Sequence, residues 1–172
     1  NLLDKVDTLI IGGGMSYTFQ KSIGGKVGQS LVEDDYLDYA KEMMEKAKAK
    51  GVKMLIPIDT IVTKEFSNDA PSRLVVAGHQ EDDDMGMDIG PESVKLFASY
   101  LQDAKTIVWN GPMGVSEFAN YAAGTIGICK EIAKLQGKAI TIVVGGDSAA
   151  AVDKLGYADK FTHISTGGGA SL

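Results

Sequence analysis

The sequence predicts one α/β domain in which helices cover both faces of a mostly parallel sheet. Three observations point to this fold class. Short β-branched runs alternate along the chain with longer segments of helical periodicity. The segments between these runs are long enough for the crossover connections that parallel strands need. The chain has 172 residues, the size of one domain, and it carries no internal repeat or low-complexity linker.

The first part of the chain begins with a strand and continues through two helices. Residues 6–11 form a β-branched run that ends at three consecutive glycines, which predicts a buried strand. A short helix is expected over 15–21. Apolar residues at helical spacing predict an amphipathic helix over 34–50, which Gly51 would end. A second strand follows at 52–56.

The middle of the chain has a different pattern. Two short strand-like runs, 60–66 and 73–77, flank turn residues at 68–71, which predicts a local antiparallel pair. The four consecutive acids at 81–84 could suggest a metal site. Such a run is usually a solvated loop, and we interpret it as one.

The second half alternates strand and helix. The predicted strands span 106–109, 139–144 and 161–164, and the predicted helices span 91–101, 117–135 and 148–155. Pro91 suits the first turn of its helix, and Gly137 would end the long one. Trp109 and Cys129 lie on apolar surfaces and are expected in the core. The elements together predict a Rossmann-like, doubly wound sheet in a three-layer α/β/α arrangement.

Composition excludes several functions. Hydrophobic residues make up 44% of the chain and charged residues 23%, so a disordered protein is excluded. No apolar run approaches the roughly 20 residues that cross a bilayer, and no membrane partner is expected. The net charge of -6 argues against a general nucleic-acid surface. One cysteine cannot form an internal disulfide, which favours a reducing compartment, and we expect a cytoplasmic protein.

Four predicted strands end in glycine-rich turns. In a parallel sheet these turns lie along the carboxyl edge, where open α/β folds bind ligands. Glycine lets the backbone approach a ligand closely, and the N–H groups that open the following helix attract an anion. Four such turns therefore predict a phosphate or nucleotide site. The turns span 12–14, 110–114, 145–148 and 165–169.

Several familiar motifs are absent. The sequence has no Gly-x-x-x-x-Gly-Lys-Ser/Thr segment, no complete Gly-x-Gly-x-x-Gly and no Gly-x-Ser-x-Gly. His79 and His163 are far apart in the chain, and one thiol cannot make a zinc site. A P-loop protein, a dehydrogenase-type dinucleotide-binding domain and a serine hydrolase are therefore disfavoured.

Five glycine-containing motifs follow one another along the chain. They are Ile11-Gly12-Gly13-Gly14-Met15, Met85-Gly86-Met87-Asp88-Ile89-Gly90-Pro91, Val108-Trp109-Asn110-Gly111-Pro112-Met113-Gly114-Val115, Gly145-Gly146-Asp147-Ser148 and Ser165-Thr166-Gly167-Gly168-Gly169-Ala170-Ser171. Together they resemble the C-terminal, nucleotide-binding domain of the phosphoglycerate kinase family. The resemblance covers essentially the whole chain. It implies that residues 1–172 are one incomplete domain of a two-domain enzyme. That enzyme moves a phosphoryl group between 1,3-bisphosphoglycerate and Mg-ADP in glycolysis, giving ATP and 3-phosphoglycerate.

The resemblance also implies a nucleotide site. Its residues would be Gly12, Gly13, Gly86, Met87, Asn110, Gly111, Pro112, Val115, Glu117, Gly145, Gly146, Asp147 and Ser148. Gly12-Gly13 and Gly86-Met87 would flank the adenine, and Glu117 would hold the ribose hydroxyls. Two simpler interpretations stay open: Glu117 could only complement a helix dipole, and Gly86 could only serve a turn.

The same resemblance assigns the phosphate end. Asp147 would contact Mg²⁺, with Ser148 and the nearby backbone on the phosphates of ADP or ATP. Gly167, Gly168 and Gly169 would be catalytic, since their N–H groups would meet the transferring phosphoryl group, whose transfer needs positioning and charge stabilisation. Asp147 could instead be only the N-cap of the following helix.

The chain lacks parts that the family uses. Ser116 stands where the family commonly has Phe, and it could cap the predicted helix at 117. The phosphoglycerate substrate and a transition-state arginine would be bound or supplied by an N-terminal domain that this sequence does not contain. A nucleotide-binding module without turnover of its own is therefore the alternative function. A monomer is expected.

Overall fold

A computed structural model describes residues 4–166 of the protein. Its strands are β1 (Thr8–Ile11), β2 (Lys53–Leu55), β3 (Asp59–Thr63), β4 (Ser72–Val76), β5 (Met85–Ile89), β6 (Thr106–Asn110), β7 (Ile140–Val144) and β8 (His163–Ser165). Its α-helices are α1 (Gly13–Ser22), α2 (Leu37–Ala49), α3 (Pro91–Leu101), α4 (Ala123–Ala133) and α5 (Gly146–Lys154). Within residues 4–166, no helix is long and apolar enough to span a membrane.

Five strands form a parallel sheet in the order β2-β1-β6-β7-β8. The first strand pairs with β2 on one side and with β6 on the other. Counted within this sheet, the order is 2-1-3-4-5, and the winding direction reverses between β1 and β6. The predicted doubly wound, mostly parallel sheet is confirmed. Its order is not the 3-2-1-4-5-6 of classic dinucleotide-binding domains.

Helices cover both faces of this sheet because successive strand residues point to opposite sides. Leu9 shares a buried cluster with Phe19 of α1 and with residues of α2. The next residue, Ile10, belongs to the opposite cluster, with Phe97 of α3 and Ile128 of α4. Burying one such side chain contributes about 1.5–3 kcal/mol. The three-layer α/β/α arrangement follows from these two apolar faces.

A second, antiparallel sheet is inserted between β2 and α3, in the order β4-β3-β5. Its β3–β4 pair was expected from the two strand-like runs and is confirmed. The third strand, β5, was not predicted. Its sequence, Met85 to Ile89, includes glycine and aspartate, which are depleted in strands, so local propensity does not indicate it.

The predicted long helix over 117–135 is wrong in its first part. Helix α4 begins only at Ala123, after a 3₁₀ turn over Ala119–Tyr121. Contacts with the β3–β4 turn hold this segment out of the helix: Asn120 N donates to Asn68 Oδ1 at 3.0 Å, and Tyr121 Oη donates to Ala70 O at 3.0 Å. Ser116 and Glu117 therefore lie in a turn and cap no helix.

Helices α1 and α5 begin earlier than expected, inside their glycine turns. The N-cap of α5 is Gly145, whose φ of 98° lies in the left-handed region that favours glycine. Asp147 is the second residue of that helix. The interpretation of Asp147 as an N-cap is therefore wrong.

The acidic run is solvated only over residues 81–83. Asp84 is fully buried, and its Oδ1 accepts a hydrogen bond from Arg73 Nη1 at 2.7 Å and pairs with Lys64 Nζ at 2.7 Å. Hydrogen bonds from Arg73 and Lys64 hold the pKa of the Asp84 carboxyl well below its usual range. Glu81 and Asp83 pair with Lys64 as well, so each of these carboxylates already has a cation of the chain as its partner.

Candidate functional site

A cleft of about 950 Å³ lies at the carboxyl edge of the parallel sheet. The turns that follow β1, β6 and β7 all line it. It spans the junction of β1 with β6, where the winding direction reverses. Open α/β sheets bind their ligands at this position, because the loops on either side of it diverge to opposite faces.

Most of the residues expected at the nucleotide lie along this cleft. The described ones that line it are Gly12, Gly13, Gly86, Asn110, Gly111, Pro112, Val115, Glu117, Gly145, Gly146, Asp147 and Ser148. Met87 is the exception, since its side chain is fully buried in β5 and does not line the cleft. Its carbonyl oxygen accepts a hydrogen bond from Val115 N at 2.8 Å, so Met87 supports the cleft wall from behind. The three glycines expected to be catalytic, Gly167 to Gly169, lie outside the described residues.

Packing explains two of the glycine turns. A Cβ atom at Gly111 would lie 2.5 Å from Gly12 O, and one at Gly12 would collide with Gly111 O. The backbones of the two turns therefore cross in contact, and a hydrogen bond of 2.8 Å from Gly12 N to Asn110 O joins them. These glycines close the floor of the cleft.

Gly146 differs from them. Its φ is not in the left-handed region, and among the described residues a Cβ there would meet only Thr166 O, at 3.9 Å. The exposed backbone of Gly146 opens helix α5 directly on the cleft. The N–H groups and the dipole of a helix start favour an anion, so this end of the cleft is suited to a negatively charged group.

Two side chains beside this helix start have different surroundings. Ser148 is buried, and its Oγ accepts a hydrogen bond from Gly111 N at 2.6 Å, which ties the β6 turn to α5. Asp147 is exposed in the first turn of the helix. Mg²⁺ takes oxygen ligands, keeps several waters and needs only one or two protein carboxylates beside phosphate oxygens. Asp147 at an anion-binding helix start fits that requirement.

The described part of the cleft carries more negative than positive charge. Glu33, Glu117 and Asp147 line it, and Lys154 is the one cation among the described lining residues. Three carboxylates facing one ammonium group disfavour a polyanion through Coulomb repulsion. A phosphate ligand would therefore bind here with a cation.

The other end of the cleft is apolar. Leu31 is 72% exposed and Phe66 is 59% exposed, and both line the cleft. The Phe66 ring packs against Phe118 with centroids 5.0 Å apart. Exposed apolar side chains inside a cleft are typical of a surface that receives a flat or apolar ligand group. Sequence patterns do not indicate these two residues, because their exposure depends on the fold.

Gly86 makes room for Tyr17. A Cβ at Gly86 would collide with the hydroxyl of Tyr17, which is itself buried and lines the cleft. Burial raises the pKa of the Tyr17 hydroxyl, and the neighbouring Asp88 adds to that rise. Gly86 lies in a strand, so the interpretation that it only serves a turn is wrong.

The fold and this cleft define the class of the protein: a doubly wound α/β domain with a ligand cleft at its switch point. Comparison with known proteins defines it further. The family model described as phosphoglycerate kinase matches residues 1–172. The chain therefore belongs to the phosphoglycerate kinase family, whose members are glycolytic kinases.

Individual proteins with similar sequences and structures carry the same family name. The chain is 59% identical over 172 residues to a phosphoglycerate kinase of Clostridium tetani, covering 100% of this chain and 42% of that protein. It is 56% identical over 173 residues to phosphoglycerate kinase 3, cytosolic, of Arabidopsis thaliana, covering 100% of this chain and 43% of that one. The solved phosphoglycerate kinase of Coxiella burnetii superposes with a TM-score of 0.85 at 41% identity, over 98% of this chain and 44% of that chain. This chain thus spans about two fifths of the length of its relatives.

Proposed function

We propose that this chain is the C-terminal, nucleotide-binding domain of a phosphoglycerate kinase, and that its cleft binds Mg-ADP and Mg-ATP. The parent reaction transfers a phosphoryl group reversibly between 1,3-bisphosphoglycerate and ADP. One observation carries the proposal: a single cleft at the switch point gathers residues from four of the five motifs, which are far apart in the sequence.

The apolar end suits the base. Leu31 and Phe66 offer exposed apolar surface, and Gly86 and the Gly12–Gly13 turn line the same cleft. Glu117 also lines the cleft, where its side chain is exposed and does not cap a helix. A carboxylate there accepts hydrogen bonds from the two ribose hydroxyls.

The α5 end suits the phosphates. The backbone N–H groups at Gly146 and Asp147 open helix α5 and would bind an anion, and Asn110 lies beside this helix start. Asp147 holds Mg²⁺, whose charge offsets the repulsion between the acidic lining and the phosphates. Gly167, Gly168 and Gly169 are proposed to stabilise the transferring group.

The chain alone is proposed to bind nucleotide without turnover. It covers 42% of the Clostridium tetani relative, and phosphoglycerate and a transition-state cation would be handled by the remaining part. Loss of a transition-state cation costs roughly 10³–10⁵ in the rate of phosphoryl transfer. We also propose a monomeric, cytoplasmic protein.

Calorimetry with ADP, with and without Mg²⁺, tests the binding function, and a coupled assay with ATP and 3-phosphoglycerate tests turnover. We expect saturable ADP binding that Mg²⁺ strengthens, and no turnover above background. Absence of ADP binding by the folded chain would contradict the nucleotide function. Robust turnover would contradict the proposal that catalysis needs the part of the relatives that this chain does not cover.

A further inference from the structure

Asp88 joins the antiparallel sheet to helix α4. It lies in β5, and its side chain is fully buried. Its Oδ1 accepts a hydrogen bond from Ile89 N at 2.8 Å, and its Oδ2 accepts one from Gly124 N at 2.9 Å. Gly124 is the second residue of α4, so the carboxylate lies at the positive end of that helix. None of the proposed nucleotide contacts uses this acid.

Two glycines leave room for this carboxylate. A Cβ at Gly114 would lie 2.5 Å from Asp88 Oδ1, and one at Gly124 would collide with the same oxygen. Gly114 belongs to the turn after β6 and lines the cleft, whereas Gly124 opens α4. Asp88 therefore fills the space between the cleft turn and the helix, and a single methyl group on either side would displace it.

Residues 113–117, which we call the wall, line the cleft after β6, and two more hydrogen bonds hold them in place. Val115 N donates to Met87 O at 2.8 Å, which attaches the wall to β5. Met113 N donates to Thr125 Oγ1 at 3.1 Å, which attaches it to the first turn of α4. The position of the wall therefore depends on how β5 and α4 are fixed to each other, and Asp88 makes that connection.

We propose that Asp88 is a positioning residue for the nucleotide site: it fixes the start of α4 against β5 and so sets the wall 113–117 from which Val115 and Glu117 reach the nucleoside. This inference rests on the proposed nucleotide function. An apolar side chain could fill the same space, but it would leave the N–H groups of Ile89 and Gly124 without these acceptors.

A second buried aspartate supplies a matched control. Asp59, in β3, accepts hydrogen bonds from Glu92 N and Ser93 N, both at 3.0 Å, at the start of α3. Each of the two acids thus accepts hydrogen bonds from backbone N–H groups at the start of a helix. Helix α3 does not line the cleft within the described residues, so Asp59→Asn removes a comparable cap without changing the wall 113–117.

The experiment compares Asp88→Asn, Asp59→Asn and Thr125→Val in the 172-residue chain. Unfolding temperature is measured first, and affinities for ADP and 2′,3′-dideoxy-ADP are then measured where each variant is folded. We expect both Asn variants to unfold at lower temperature, and only Asp88→Asn to weaken ADP binding, by about 10-fold, the size expected when the hydrogen bonds of Glu117 to the ribose are lost. The loss should be smaller for the dideoxy nucleotide, because part of it comes from the displaced Glu117.

Backbone amide resonances of residues 113–117, recorded without nucleotide, give a readout that does not depend on binding. They should shift in Asp88→Asn and stay in place in Asp59→Asn. Equal ADP affinities in the two Asn variants, or unshifted resonances in Asp88→Asn, would overturn the positioning role. If Asp88→Asn does not fold, Thr125→Val is measured in its place. A Thr125→Val chain with the ADP affinity and the 113–117 resonances of the wild type would then overturn the positioning role. Failure of the wild-type chain to bind ADP contradicts the proposed function, and the resonances still decide the role of Asp88.

Discussion

The ribose contact of Glu117 can be tested against another acid in the same cleft. Glu117 and Glu33 are both exposed carboxylates that line the cleft. The variants Glu117→Gln and Glu33→Gln each remove one negative charge and keep the side-chain length. Only Glu117 is proposed to touch the ribose, so the two variants should change ADP affinity in opposite directions.

The two substitutions should differ in the size of their effect on ADP affinity as well as in its sign. Removing a carboxylate roughly 10 Å from the phosphates, in water, relieves about 0.4 kcal/mol of repulsion, so Glu33→Gln should strengthen ADP binding up to about 2-fold. Hydrogen bonds to a charged group contribute about 1.5–3 kcal/mol and neutral ones about 0.5–1.5 kcal/mol. The difference of about 1–1.5 kcal/mol predicts that Glu117→Gln weakens ADP binding roughly 5- to 10-fold, at the lower end because Glu117 is exposed.

Calorimetry with ADP and with 2′,3′-dideoxy-ADP checks this prediction at one fixed ionic strength. For the dideoxy nucleotide, which has no ribose hydroxyls, Glu117→Gln should behave like Glu33→Gln and bind slightly more tightly. If Glu117→Gln strengthened ADP binding, or weakened both nucleotides equally, the ribose contact would be refuted.

Three further predictions concern the phosphate end and the buried acid. Asp147→Asn should largely abolish the gain in ADP affinity on adding Mg²⁺, while Asp153→Asn on the same helix should keep it; calorimetry with and without the metal decides, and an unchanged gain in Asp147→Asn would refute the metal contact. Gly146→Ala should leave thermal stability nearly unchanged but weaken ADP binding, whereas Gly111→Ala, with φ at 90° and a backbone clash, should lower stability by at least about 1 kcal/mol; a Gly146→Ala chain that binds ADP normally would contradict a close phosphate approach. Burial raises the pKa of Asp88 to about 7, so the folded state holds a proton that the unfolded state releases near pH 4, and stability should fall as pH rises from about 4 to 7. Denaturant unfolding across that range should show a flatter slope in Asp88→Asn, and equal slopes would contradict the raised pKa.

Local sequence patterns were sufficient to predict the parallel core and the edge of the sheet where the cleft lies. Residues such as Leu9 and Ile107 lie in short β-branched runs that end at glycine turns, and such runs are typical of buried strands. The carboxyl ends of parallel strands share one edge, so glycine turns far apart in the sequence were expected together at one cleft. The sequence therefore determined the fold class, the edge that carries the cleft and most of its backbone lining.

Tertiary contacts decided what local propensity could not. Strand β5 forms because β3 offers it a partner, although its own sequence, with Gly86 and Asp88, disfavours a strand. Glu117 leaves the helical register because residues near it bond to the β3–β4 turn, and Asp84 is buried because Arg73 and Lys64 reach it across that sheet. The exposure of Phe66 and the burial of Met87 also depend on these long-range contacts. These partners are far apart in the sequence, and only the folded chain brings them together. Sequence periodicity relates residues that are a few positions apart, so it does not indicate contacts of this kind.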